Sequence, residues 1–352
     1  MARLSVVVVT YNCREVVGRS LPPLVEQLRD GDELIVLDNA SADGTAGAVR
    51  ELAPDAIVFE SGENLGFAAG CNAAAERATG DLMVLLNPDA IVQPGFRDAI
   101  EAPAADGRGW GAWMGLVTDE GGRLVNTEGG VVHFTGIAWA GGAGRARDAA
   151  SGDGRPREVG FASGACLAIP RRSWEALGGF PPEYFLYGED VDLSLRVRLA
   201  GGRVGVEPAA LVDHEYEFRK GERKWRYLER NRWATIVRTF PAPLLALLAP
   251  ALAATEVALV AVSVAGGWWR QKLGAWVDVA RWMPRLLRER REIATRRRIS
   301  TSEFADALTP ELDSDYLVRA SRFAPLRWAL RAYWSVVRLL LAAGSADPPS
   351  RG

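Results

Sequence analysis

Cysteine is scarce in this 352-residue chain. Cys13, Cys71 and Cys166 have no metal-type spacing and are too few for a disulfide scaffold. That excludes the small disulfide-stapled folds and fits a reducing, cytoplasmic setting. A secretory signal is not expected either: the apolar run Val6–Val9 is short, gives way at once to Thr10-Tyr11-Asn12 and carries no cleavage site. A Walker loop, a dinucleotide fingerprint and an internal repeat are likewise missing, which sets aside the commonest phosphate-binding classes and solenoids. Net charge is also small, at −2.

That near-zero sum hides an asymmetry. Residues 1–217 hold 18 Lys and Arg against 32 Asp and Glu, a net of −14. Residues 218–352 hold 24 against 12, a net of +12. Opposed halves imply different partners: the acidic half suits a metal, the basic half an anionic surface. Length and an apolar content of 48% give ample core for one large or two medium domains.

Four short apolar runs end in polar residues: Leu4–Val9, Leu34–Leu37, Ala56–Phe59 and Leu82–Leu86. Between them the patterning is helical, over about Glu15–Arg29, Thr45–Leu52 and Phe67–Ala78. Strands alternating with helices predict βαβ units and a parallel sheet. The run ends would then line one sheet edge with Thr10-Tyr11-Asn12, Asp38-Asn39, Glu60 and Asn87-Pro88-Asp89, where ligands bind in open α/β sheets. Residues 141–158 read as a mobile loop, apolar patterning returns at Phe161–Ile169, and a helix is expected from Asp190 to Ala200, its acidic start favoured by the helix dipole.

Each constellation has a plain reading beside a chemical one. Asp38 can bond a base or ribose, or form an Asx turn while Asp43 caps the next helix. Asn64-Leu65-Gly66-Phe67-Ala68-Ala69-Gly70-Cys71-Asn72 is a glycine-containing loop opening a helix, a place where phosphate can approach backbone N–H groups. Asp89 is the kind of lone carboxylate that Mg²⁺ takes when diphosphate and water complete its shell. Asn, Asp and Pro are also ordinary strand terminators.

Taken together these residues resemble the inverting glycosyltransferases of family 2. The matching pieces are Val8-Val9-Thr10-Tyr11-Asn12, Asp38-Asn39-Ala40-Ser41-Ala42-Asp43-Gly44-Thr45, Asn64-Leu65-Gly66-Phe67 and Leu86-Asn87-Pro88-Asp89. Further along come Ser163-Gly164-Ala165, Gly178-Gly179-Phe180, Glu189-Asp190-Val191-Asp192-Leu193 and His214, so that about residues 3–240 are covered in family order, nearest the rhamnosyltransferase-like branch.

The resemblance implies a GT-A-type, Rossmann-like mixed sheet flanked by helices; the composition beyond it predicts a mostly helical, membrane-associating C-terminal region. It implies a nucleotide-sugar site drawing on Thr10, Tyr11, Asn12, Asp38, Asn64, Gly66, Phe67, Asn72, Asn87 and Gly164. A divalent metal, Mg²⁺ or Mn²⁺, would sit on Asp89 and His214, with Asn87 replacing the first carboxylate of the family's Asp-x-Asp. Asp190 matches the catalytic base, which the acceptor hydroxyl's proton requires; Glu189 and Asp192 are alternative acids. Glu189 and Asp190 diverge on a helix, so only one should face the acceptor.

Processive synthases of the family carry Gln-x-x-Arg-Trp. Here Glu229-Arg230-Asn231-Arg232-Trp233 keeps Arg-Trp but has Glu in place of Gln, and the several membrane spans expected of a synthase are missing. One sugar per encounter is the better reading; a basic amphipathic helix meeting phosphates is the alternative.

Phe240–Trp269 is the one long apolar stretch, broken by Pro250 and interrupted by Glu256. A charge at mid-bilayer costs about 3 kcal/mol, and basic clusters flank both sides, so a single span is disfavoured. An in-plane or re-entrant hairpin fits better, with Trp268, Trp269, Trp276 and Trp282 at headgroup depth; one or two spans, or helices packed on protein, stay open.

The expected organisation is a catalytic domain over 1–217, a helical basic and apolar region over 218–343, and a disordered tail over 344–352. The expected activity is transfer of a single sugar, rhamnose among the candidates, from a nucleoside-diphosphate sugar to a polyprenyl-linked or cell-surface polysaccharide acceptor. It would act at the cytoplasmic face of the bacterial plasma membrane, against an anionic surface, with no nucleic-acid partner and with homo-oligomerisation left open. The rivals are a sugar-nucleotidyltransferase, which would need an N-terminal basic triphosphate loop, and a non-catalytic carbohydrate-binding protein on the same fold.

Overall fold

The computed structural model describes residues 2–150, 154–214, 221–313 and 323–344. The first half alternates strand and helix as the apolar runs predict. In chain order come β1 (Leu4–Thr10), α1 (Arg14–Val25), β2 (Glu33–Asp38), α2 (Thr45–Leu52), β3 (Ile57–Glu60), α3 (Gly66–Ala75), β4 (Leu82–Leu86), β5 (Ile91–Val92) and α4 (Phe96–Glu101). Then follow β6 (Trp110–Asp119), β7 (Leu124–Thr127), β8 (Gly130–Val132), β9 (Ala138–Ala140), α5 (Arg147–Ala150), β10 (Arg157–Glu158), β11 (Cys166–Pro170), α6 (Arg171–Leu177), α7 (Glu189–Leu199) and β12 (Arg203–Asp213). The remainder is helical: α8 (Arg223–Thr239), α9 (Ala242–Ala265), α10 (Trp269–Thr295), α11 (Thr301–Ala305) and α12 (Ala324–Gly344).

The main sheet runs β10-β12-β6-β11-β4-β1-β2-β3, with β5 on β12 and β7 on β6. β1 pairs parallel with β2 and β4, and β2 parallel with β3, whereas β11 is antiparallel to both β4 and β6. The sheet is therefore mixed. β1 and β4 are buried along their whole length, as strands covered on both faces must be, which is why they read as unbroken apolar runs rather than as alternation.

Long strands β6 and β12, which pair in parallel, were not singled out by periodicity. Their glycines explain the weak signal. A Cβ on Gly115 would lie 2.3 Å from the Ala210 carbonyl oxygen, and one on Gly111 would lie 2.5 Å from Val197. The strands trade apolar side chains for close backbone approach. Residues 141–158, expected as one mobile loop, contain α5 and β10; positions 151–153 lie outside the described residues, as do 345–352 of the expected tail.

Contacts divide the chain into two units. The first comprises Met1–Gly130, Ala140–Val197 and Gly202–Glu217; the second comprises Val131–Trp139, Arg198–Gly201 and Phe218–Gly352. The second unit gathers two inserted pieces of the first half. Within it, Phe134 stacks on Trp334 with ring centroids 5.1 Å apart, and the Thr309 N–H donates to the Val132 carbonyl at 2.9 Å.

Candidate functional site

Register fixes one edge of the sheet. Thr10 pairs with Asp38, and Val8 with Leu86, so the C-terminal ends of β1, β2 and β4 lie side by side. Because β11 runs antiparallel, its entrance at Cys166 is opposite Leu86 and brings Ser163–Ala165 to the same edge. β5 and β12 pair at Ile91 and Asp213, which carries His214 to the loop that follows β4.

At the end of β4, Asp89 Oδ1 lies 2.9 Å from His214 Nε2. Asn87 Nδ2 lies 3.2 Å from the same nitrogen. His214 is buried, while Asp89 is partly open to solvent. The His214 backbone is held on both sides: its N–H donates to the Thr118 carbonyl at 2.9 Å, and its carbonyl accepts from Asn126 Nδ2 at 3.3 Å. Asn126 had no sequence signal.

The donor set suits a divalent ion of the Mg²⁺ or Mn²⁺ kind: one hard carboxylate oxygen and one imidazole nitrogen. Neighbouring ligands about 2.1 Å from an octahedral ion lie about 3 Å apart, which the 2.9 Å separation matches. Among the described residues no group of three or more His, Cys, Asp and Glu side chains converges. The pair thus fits an ion whose remaining ligands come from elsewhere.

The second centre is the start of α7. Asp190 is half-buried and accepts from two backbone donors: Gly164 N–H to Oδ2 at 3.0 Å and Val191 N–H to Oδ1 at 2.8 Å. Burial raises the Asp190 carboxyl above its ordinary value, against the pull of those N–H groups. Glu189 is buried, and its Oε2 has no hydrogen-bond partner among the described residues. Burial first, and the adjacent Asp190 charge second, push it up to about 8. The two adjacent acids diverge as a helix requires, and Asp190 is the one nearer solvent.

Asp192, the other alternative acid, belongs to the core. It is fully buried, pairs with Arg196 Nε at 2.6 Å and accepts from Tyr184 OH at 3.4 Å. Arg196 in turn donates to the Leu177 and Gly179 carbonyls at 2.7 and 2.6 Å. A carboxylate so enclosed has no acceptor in reach.

One turn joins the two centres. Gly164 N–H bonds Asp190, and the next residue, Ala165, accepts from the Asn87 N–H through its carbonyl at 3.1 Å. A Cβ on Gly164 would crowd the Phe67 ring at 3.1 Å, so a larger residue on this turn would have to displace that ring slightly.

On the β1–β2 side, Asp38 is buried and occupied by its own loop. Thr10 Oγ1 donates to it at 2.8 Å, Ser41 N–H at 2.9 Å and Ser41 Oγ at 2.6 Å. Asn12 is exposed, with a left-handed φ of 48°, and accepts from the Ala42 N–H at 2.8 Å. The Tyr11 ring is 50% exposed beside it.

The Asn64–Asn72 loop is corrected by the structure. Its N–H groups, expected to cradle phosphate, are spent on protein. Leu65 donates to Asn39 Oδ1 at 3.1 Å, Gly66 to Asn64 Oδ1 at 2.9 Å, and Phe67 and Ala68 to the Phe185 carbonyl at 2.7 and 3.3 Å. Gly66, at φ 77°, is a glycine because a Cβ would strike Phe185 at 2.5 Å. Asn72 uses both ends of its amide on the Phe180 backbone, at 2.8 and 2.9 Å. Phe185 itself is left-handed at φ 63°, and Tyr187 at φ 72°. Such backbone is uncommon outside glycine and clusters at functional sites; here it immediately precedes Glu189.

The candidate residues thus fall into three groups on one edge: Thr10, Tyr11, Asn12 and Asp38; Asn87, Asp89 and His214; Gly164 and Asp190. Asn64, Gly66, Phe67 and Asn72 brace the elements behind them.

Residues 5–115 match the family model described as glycosyl transferase family 2. The chain is 28% identical over 256 residues to N-acetylglucosaminyl-diphospho-decaprenol L-rhamnosyltransferase of Mycobacterium tuberculosis, across 66% of this chain and 83% of that protein. It is 30% identical over 157 residues to an O-antigen biosynthesis protein of Myxococcus xanthus, across 43% of this chain and 12% of that one. Among solved structures, GalNAc-T7 with UDP, GalNAc and Mn²⁺ superposes with a TM-score of 0.56 at 16% identity. The match covers 70% of this chain and spans half the length of that one, a likeness of fold.

Proposed function

Since this chain is a glycosyltransferase of family 2, we propose that it is a metal-dependent, inverting enzyme. It moves a single sugar, L-rhamnose, from a nucleoside-diphosphate donor to a polyprenyl-diphosphate-linked N-acetylglucosamine on the cytoplasmic side of the membrane. Sugar and acceptor are taken from the activity of the mycobacterial relative. The observation that carries the mechanism is the Gly164–Ala165 turn, which ties Asp190 to the Asn87–Asp89 loop.

The nucleoside is assigned to the edge of Thr10, Tyr11, Asn12 and Asp38, with the exposed Tyr11 ring offering a face for stacking. Asp89 and His214 would hold the cation, which, when bound, supplies charge neutralisation for the departing diphosphate. Asn87 adds an uncharged amide to that loop, so the protein contributes one negative charge there. Metal affinity then depends on the donor's own oxygens.

Asp190 is the base. It takes the acceptor hydroxyl's proton as the oxygen attacks the anomeric carbon from the side opposite the leaving diphosphate, which inverts that centre. Backbone N–H groups on both carboxylate oxygens fix its orientation and favour its ionised form. Burial first, and the adjacent Asp190 charge second, favour the protonated form of Glu189 behind it.

The test is a transfer assay on polyprenyl-diphosphate-linked N-acetylglucosamine with a panel of nucleoside-diphosphate sugars, with and without Mn²⁺. Metal-dependent transfer of one rhamnose with inverted anomeric configuration is expected. Retention of configuration, or equal turnover in chelator, would overturn the proposed mechanism.

A further inference from the structure

The second unit carries an apolar surface facing outward. α9 is 24 residues long and strongly apolar, and at about 1.5 Å per residue it is long enough to cross a bilayer core of about 30 Å. Its inner face packs on protein through Leu244, Leu248 and Leu252. The exposed positions include Val257 at 73%, Val262 and Val264, and every exposed side chain from Ala242 to Ala265 is Ala, Val or Pro. A water-facing helix shows its polar residues there; this one shows none.

The single charge of α9 is turned inward and held. Arg232 of α8 reaches Glu256 Oε2 at 2.7 Å, and Lys272 of α10 reaches Oε1 at 2.6 Å. Trp233 Nε1 donates to Glu256 at 3.0 Å, and Trp276 Nε1 donates to it as well. Glu229 closes the cluster against both Arg232 and Lys272. Burial alone would raise the Glu256 carboxyl, yet Lys272, Arg232 and Trp276 hold it below the ordinary carboxylate range. α9 is also tied to α12, whose Tyr333 hydroxyl donates to the Leu247 carbonyl.

α10 continues the surface after the Gly266-Gly267 turn. Trp269, Leu273, Val277 and Leu287 are exposed and, at about 100° per residue, fall in one quadrant of the helix. Arg270, Arg281, Arg288 and Arg291 are exposed beside or among them. Arg270 lies over the Trp269 ring at 5.4 Å, while Arg281, Arg288 and Arg291 have no ion pair among the described residues. Of the acids of that helix, Asp278 pairs with Arg226 and Glu289 with Arg238, while Glu292 is exposed four residues after Arg288, on the arginine side of the face.

We propose that the outer face of α9, continued by the Trp269–Arg291 face of α10, lies in the plane of one leaflet of an anionic bilayer, and that α9 does not span. An apolar face bordered by unpaired arginines is complementary to acyl chains bordered by anionic headgroups. Spanning would carry the Arg232–Glu256–Lys272 cluster into hydrocarbon or tear it apart. The expected role of the tryptophans changes accordingly. Trp268 is buried against Trp225, Trp276 serves Glu256, and Trp282 packs beneath Arg230 and Arg285. Trp269, 43% exposed, is left for the headgroups.

This deepens the membrane side of the proposed function, and its test reads no sugar transfer, so either can fail alone. Full-length protein is mixed with sealed vesicles of phosphatidylcholine with and without phosphatidylglycerol, and bound protein is separated by flotation. Binding should need phosphatidylglycerol. Val257→Asp with Val262→Asp should weaken it at least tenfold without changing the melting temperature. Arg288→Glu with Arg291→Glu should weaken it by at least about fivefold per residue, the factor for losing about 1 kcal/mol per basic group, since each change also adds a negative charge. Ala242→Cys and Ala265→Cys, at opposite ends of α9, should both react with an impermeant maleimide added outside the vesicles, above the background of the unsubstituted chain. Reaction at one end only would establish a span and overturn the proposal. So would a soluble dimer that ignores vesicles and dissociates on Val257→Asp, which would assign the face to a second copy.

Discussion

Gly164 donates its N–H to Oδ2 of Asp190 at 3.0 Å, and the residue after Asp190 donates to the other oxygen at 2.8 Å. Both carboxylate oxygens are thereby aimed by backbone rather than by rotatable side chains. Asp190→Asn keeps the shape and loses the proton acceptor. Transfer should fall by about three orders of magnitude, within the usual range for a general base, with nucleotide binding retained. The melting temperature should fall only modestly, because the amide NH2 cannot accept one of the two backbone N–H groups. In the unaltered enzyme kcat should be lost as pH falls, through a value above the ordinary carboxylate 3.8, because burial raises this group. The neighbour two residues on gives the contrast. Asp192→Asn strands the buried Arg196 and should cost about 3 kcal/mol of stability, read as a fall in the urea midpoint.

Glu189 makes stability depend on pH with a definite sign. Burial and the Asp190 charge lift it from 4.5 to about 8. Between those values the folded chain keeps a proton that the unfolded chain has released, so the stabilisation is complete below about 4.5, declines as pH rises and levels off above about 8. The slope in that window is at most about 1.4 kcal/mol per pH unit. Glu189→Gln removes this component. Urea midpoints at pH 5 and pH 8.5 should therefore differ less in the variant than in the unaltered protein, with the variant the more stable at pH 8.5. An identical difference in both would show that Glu189 titrates normally.

Asp89 and His214 supply two donors of different kind, 2.9 Å apart. One carboxylate is a weak trap for a divalent ion by itself. Mn²⁺ alone should barely shift the melting temperature, and a nucleoside diphosphate alone should shift it little, while the two together should shift it by several degrees. Asp89→Ala should abolish the joint shift. His214→Ala should raise the Mn²⁺ concentration needed for half the effect by about tenfold or more. A full shift from the nucleotide in chelator would separate binding from metal altogether.

Much of the fold was legible because β1, β2, β3 and β4 are apolar runs bounded by polar residues, and the structure places them at Leu4–Thr10, Glu33–Asp38, Ile57–Glu60 and Leu82–Leu86. β6 and β12 were not, since glycines placed for backbone contact dilute their apolar pattern. At the site, the strand-end residues were readable because a strand's end fixes where its next residue points. What occupies each N–H was not. The Asn64–Asn72 loop has the composition of a phosphate cradle, and only the fold reveals that the Phe185 carbonyl fills it. No residue type announces a left-handed phenylalanine. Glu256 likewise reads as a charge interrupting an apolar helix, until Arg232 and Lys272 arrive from 24 residues before and 16 after.

Glu256 separates two kinds of helix by the direction of one mutational effect. In a spanning helix a carboxylate is a burden of about 3 kcal/mol at mid-bilayer, and removing its charge favours insertion. In the structure Glu256 answers two buried cations, with Glu229 answering them from the other side. Glu256→Gln leaves that cluster with one uncompensated positive charge in a buried place. The variant should lose about 3 kcal/mol, seen as a lower melting temperature in detergent-free buffer, and vesicle binding should not improve. Lys272→Met added to Glu256→Gln should recover most of the loss, because the remaining Glu229 and Arg232 balance each other. A stabilised single variant that floats more readily would mean that the helix carries its charge into the bilayer after all.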